Sequence, residues 1–183
     1  MLEAEMDWIS VVDTAVKIGF GALIGGFFAI WTQRLSQRHE QSKLQLERRR
    51  VLLQEAQIEV SHFAGSVSTY WANTRNAVFL RDKGDPVTAK MRTELQSNER
   101  TVFEGFAELS ASRGKILLLG ESSAVDALAQ FHDACSEFFQ IAHIDNVNCT
   151  VAALDGVKGK IVAKRTVFYD RMAEAYARIP EVR

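Results

Sequence analysis

Proline is nearly missing from this sequence: Pro86 and Pro180 are the two in 183 residues. Proline breaks helix interiors, so its scarcity favours long helices. Cysteine is as scarce. Cys135 and Cys149 cannot build a disulfide framework, and they suit a reducing compartment. Charge of one sign is missing too: the net charge of −1 lacks the basic excess that a nucleic-acid-binding domain carries, so no nucleic-acid partner is expected. No GxxxxGK[ST], GxGxxG, HExxH, GxSxG or CxxC occurs, which removes those phosphate, nucleophile and zinc signatures. Internal repeats and low-complexity tracts are also lacking. What remains is a chain with 47% hydrophobic and 25% charged residues, a balance that folds and does not stay disordered.

Against this background stands "TAVKIGFGALIGGFFAIW", residues 14–31, with Lys17 as its single charge. Eighteen residues at 1.5 Å each make about 27 Å of helix, close to a bilayer core of about 30 Å. Trp8 and Trp31 bracket the stretch at the positions interfacial rings prefer. A cleaved signal peptide would open with a basic segment, whereas residues 1–13 carry Glu3, Glu5, Asp7 and Asp13 without Lys or Arg. The stretch therefore reads as a retained transmembrane helix. Arg34, Arg38, Lys43, Arg48, Arg49 and Arg50 follow it, so the positive-inside rule predicts a single-pass protein of a cell inner membrane, N-terminus outside and remainder cytoplasmic. Arg34 and Arg38 are placed to contact anionic lipid.

Within that span Ala15, Gly19, Ala22, Gly26 and Ala29 recur at spacings of three and four, and Gly21 and Gly25 form a GxxxG pair on a neighbouring face. Small residues in phase let helix backbones approach closely in lipid, so the span is expected to self-associate into a homo-oligomer.

The expected fold is all-α: an extracytoplasmic tail (1–13), the transmembrane helix (14–31), a helical stalk (32–45) and a cytosolic up-down four-helix bundle (46–183). The first bundle helix has a coiled-coil-like seam of Leu46, Leu53, Ala56, Val60, Phe63, Val67, Tyr70 and Ala77. Arg49 and Thr74 interrupt it, and Leu52, Ile58, Ala64, Trp71 and Val78 widen it. "RDKGDP" ends this helix. A second, from Val87 to about Leu119, presents Met91, Leu95, Val102, Phe103, Phe106, Leu109, Ile116 and Leu117, with "KILLL" open to a strand reading. The third starts at Ser123 with Asp126 three residues on, and shows Val125, Leu128, Phe131, Cys135, Phe138, Phe139 and Ala142 on one face. The fourth buries Ile161, Phe168, Met172 and Ala175 and ends before Pro180.

Three clusters bear on chemistry. Glu59 and His62 make a Glu-x-x-His, but a di-metal carboxylate bundle needs a second such motif, and Gln140 with His143 lacks the carboxylate. A surface charge pair is expected there, and no metal or cofactor. His132 and Cys135 share one side of the third helix without a further ligand, which reads as a core-boundary histidine. Lys158, Lys160, Lys164 and Arg165 gather at the start of the last helix, which reads as a solvated face or as a patch for an anion, such as a nucleotide or lipid headgroup, or an acidic partner. The function expected is a membrane-anchored, non-enzymatic interaction or sensor module with the bilayer, a second copy and an unknown protein as partners. The alternative is a membrane-disrupting effector of phage-defence or toxin type, whose spans cluster into a pore when the bundle is triggered.

Overall fold

The computed structural model describes the backbone of residues 2–146 and 148–180, and side chains at Glu40 and over residues 43–146 and 148–180. These residues form four helices: α1 (Leu2–Asp82), α2 (Ala89–Leu118), α3 (Ser122–Ile141) and α4 (Val151–Ala177). No strand occurs among the described residues, and "KILLL" completes α2 as helix. The chain divides into two compact units, Met1–Leu46 and Glu47–Arg183. The side chains of residues 14–31 lie outside the described residues, as do those of Arg34 and Arg38. The apolar span, its small-residue stripe (Ala15, Gly19, Gly21, Ala22, Gly25, Gly26, Ala29) and the lipid contacts read from sequence therefore lie there too. Among the described residues no helix is long and apolar enough to cross a membrane.

The second unit is a helical bundle. Short connections join its helices, and side chains from different helices meet at both ends of the bundle and across its middle. Arg49 of α1 and Arg178, just past α4, both meet Glu121 at the head of α3. At the other end Arg81 of α1 donates to the carbonyls of Ile144 (2.8 Å) and Cys149 (2.7 Å) in the α3–α4 loop. Across the bundle Phe63 meets Phe131 edge-on at 6.1 Å, and the Tyr70 hydroxyl donates to the Ala142 carbonyl at 2.5 Å.

Local chemistry sets the helix ends. Gly120 at φ 74° lets its own N–H reach the Leu117 carbonyl and the Glu121 N–H reach that of Ile116, a Schellman end that any L-residue would strain. Gly84 closes α1 with the same pair of bonds. Thr88 caps α2 and Thr150 caps α4, each side-chain oxygen accepting from the backbone N–H three residues on. The start of α3 differs from the sequence expectation. Its N-cap is Glu121, ahead of Ser123, and no side chain caps it, because the Glu121 carboxylate is held by Arg49 and Arg178.

The core contains the seam of α1 from Leu53 through Val60, Phe63 and Val67 to Tyr70 and Ala77, with Leu128, Phe131, Cys135 and Phe138 of α3 and Ile161, Phe168, Met172 and Ala175 of α4. Leu154 and Val157 join it, so the first turns of α4 are packed despite Gly156 and Gly159. Three predicted core positions are on the surface: Ile58 is 60% exposed, Phe103 67% and Leu117 62%. On α2 the buried stripe is the strict heptad Leu95, Val102, Leu109 and Ile116, with small Gly105 and Ser112 between. Phe103 and Leu117 each sit one residue off that stripe, about 100° round the helix. Gly105 is small for a reason: a Cβ there would come within 2.7 Å of the Phe63 ring.

Candidate interaction face

Two flanks of α1 border neighbouring helices, and their chemistries differ. On the α2 side, Glu59 accepts from Ser112 Oγ (2.5 Å) and Lys115 Nζ (2.6 Å), and Lys115 also reaches Glu55 (3.0 Å). Burial raises the Glu59 pKa, but the hydrogen bonds from Lys115 and Ser112 and the lysine charge outweigh it, and the net shift is downward. The same contacts raise the Lys115 pKa. His62, the other half of the Glu-x-x-His, points to solvent and lies 3.7 Å from Glu108. The motif thus straddles a surface charge network. Among the described residues no group of three His, Cys, Asp or Glu could hold a metal.

On the α4 side lies a groove of about 800 Å³ whose lining residues carry no charge. Its polar rim is Gln54, Gln57 and Ser61. Ser61 and Tyr169 bridge it by a 2.7 Å hydroxyl–hydroxyl bond. Its apolar walls are Ile58, Met172 and Tyr176, the last 41% exposed. Ile58 protrudes because it lies beyond the edge of the buried stripe that Leu53, Ala56 and Val60 define.

Further along the same seam the basic residues of α4 separate. Lys160 pairs with Glu137 (2.6 Å) and Lys164 donates to Gln130 (2.8 Å), both on α3. Lys158 turns the other way and sets its ammonium 3.3 Å from the centre of the Trp71 ring on α1. Arg165 lies two turns on from Lys158, on the same flank by helical period. The four neighbours in sequence are therefore two pairs on opposite flanks. No known protein family, curated protein or solved structure matches this chain.

The remaining sequence candidates are separated by burial. Cys135 is fully buried, and burial pushes its thiol up to about 12, so it is a neutral core group. His132 is half-exposed, edge-on to Phe106 at 5.2 Å and 3.4 Å from Asp133. The two residues make no couple. The helix face was legible, but His132 sits at its rim. Sequence reasoning missed Arg81, Glu121 and the pair Trp71–Lys158, since each acts on a segment distant in the chain. The one available signal was Trp71 followed one turn later by Arg75.

Proposed function

We propose that this protein is a membrane-anchored, non-enzymatic interaction module whose helical bundle receives a protein partner in the α1/α4 groove. The observation that carries it is that groove: open, lined without charge, and walled by exposed Ile58 and Tyr176 on a surface otherwise rich in ion pairs. A two-helix groove with apolar walls is the shape an amphipathic helix fills. Uncharged Gln54, Gln57 and Ser61 can hydrogen-bond at its rim without the desolvation cost of ions.

The anchor rests on residues 14–31 and on the basic residues that follow, which support a single span, N-terminus outside, a helical stalk over 32–45 and a cytosolic up-down bundle. The small-residue stripe supports self-association of that span.

The test is capture from solubilised membranes with the full chain as bait, beside an Ile58→Lys/Tyr176→Lys variant. Partners recovered with the parent and lost with the variant support the reading. Identical recovery from both removes the groove from it, and a chain found wholly in the soluble fraction removes the anchor. A collapse of membrane potential on induction, with no partner lost, favours the pore-forming alternative.

A further inference from the structure

We propose that Trp71, Lys158 and Arg165 form a binding site for a small organic anion carrying a planar ring, of the size of a nucleoside monophosphate. The site is distinct from the groove and does not rest on the anchored-module reading.

The indole is a fixed platform. Its Nε1 donates to the Leu154 carbonyl at 3.1 Å, which holds the ring against α4. Lys158 Nζ lies over the ring at 3.3 Å. Arg75, with its guanidinium carbon 5.8 Å from the ring centre, is tied to Asp155 by two bonds of 2.8 and 3.2 Å, so its charge already has a counter-ion. Lys158 and Arg165 differ: among the described residues neither has a carboxylate within ion-pair distance. Both are half-buried and stand about 10 Å apart along α4, a span their long side chains can close.

Burial, then the charge of Arg165, lowers the Lys158 pKa, with Asp155 opposing and Arg75 adding to the shift. Lys158 and Arg165 are partly desolvated cations on one flank of α4, close enough for the charge of Arg165 to act on Lys158, and an anion held by both relieves the burial cost and the repulsion. A cation–π contact at a half-exposed site is weaker than a charge-assisted hydrogen bond to phosphate. An arriving phosphate therefore draws the ammonium off the indole and bares a ring face for stacking. A planar ring on the same molecule then stacks at high effective concentration. Phosphate alone leaves the platform unused, and a ring alone leaves the cations unpaired.

Trp71 is the one tryptophan outside the N-terminal pair Trp8 and Trp31, so it can report on the site directly. The full chain, with Trp8→Phe and Trp31→Phe and held in mild detergent, is titrated with a purine nucleoside monophosphate. Excitation is set to the red of the base. A saturable change in Trp71 emission is expected. Lys158→Gln and Arg165→Gln should each weaken binding at least tenfold with the helical circular dichroism unchanged, while Lys160→Gln leaves it as it was. The nucleoside without phosphate and inorganic phosphate alone should each bind at least tenfold more weakly. Absence of saturation at 10 mM (about the weakest binding of interest) overturns the proposal. So does equal binding by folded Lys158→Gln, or by the nucleoside or inorganic phosphate.

Discussion

Glu55, Glu59 and His62 line the flank of α1 that faces α2, while Gln54, Gln57 and Ser61 line the flank that faces α4. Both flanks border the same core. The first is closed: a glycine at 105 and a serine at 112 let the helices approach, Phe63 fills the space, and Lys115 bridges two carboxylates above it. The second is left open, with no ion pair across the groove among the described residues and one bridging hydroxyl pair, Ser61–Tyr169. A seam dense in ion pairs and small residues is built for its own helices. The stretch of the other seam around Ile58, open, uncharged and walled by exposed apolar side chains, is built to be covered, while further along the same seam Arg75 pairs with Asp155.

The largest effect should come from beneath the closed seam. Phe63→Ala removes a fully buried ring that touches Phe106 and Phe131, and should cost about 3–5 kcal/mol in thermal unfolding followed by circular dichroism. A loss under 1 kcal/mol would mean that α1 and α2 do not pack as described. Gly105→Ala comes next. Its Cβ meets Phe63 Cδ2 at 2.7 Å, and overpacking of this kind should cost about 1–3 kcal/mol although alanine is the better helix former. An increase in stability would show that the seam has slack.

The ionic layer above should matter less. Lys115→Met should cost about 1 kcal/mol or less, because both partners are partly solvated, and added salt should shrink the difference between variant and parent. Its pH dependence has a definite sign. The folded Glu59 pKa lies below its ordinary value of 4.5, so its contribution is fully present above that value and is lost as pH falls through the lowered folded value. Comparing acid unfolding of the parent with Glu59→Gln checks this: the gap should be widest above pH 4.5 and close on acidification. A gap that widens in acid would contradict the network.

The smallest effect on stability should fall on the open seam. Ile58→Lys should change unfolding by no more than about 0.5 kcal/mol, since the side chain is already mostly in water. The same substitution should abolish partner capture. A large loss of stability would make the groove a structural surface and erase the contrast between the flanks.

Much of the fold was legible from the chain. Heptad spacing marked Leu53, Val60, Phe63, Val67 and Tyr70 as core, and the turn "RDKGDP" with Gly84 marked the end of α1. Both signals are local, set by the 3.6-residue period and by backbone conformations that glycine alone adopts readily. The errors lie at the edges of those stripes. Phe103 and Leu117 are one position off the buried face and Ile58 is two positions from both Ala56 and Val60, and composition does not distinguish an apolar residue facing the core from one facing outward. The candidate site was legible in part: the basic residues of α4 were visible, but their partners were not.

The sequence by itself determined the helices, where most of them stop and which stripe of each is buried, because turns, caps and periodicity involve residues within a few positions of one another. Tertiary structure alone decided which polar groups meet. Lys158 sits on Trp71 while Lys160 turns to Glu137, Glu121 is held by arginines from α1 and the end of α4, and the α2-facing flank of α1 is tied by ion pairs where its α4-facing flank leaves a groove beside Ile58. Each of those outcomes depends on the helix that happens to lie alongside. A side chain's own neighbours in the chain carry no record of it.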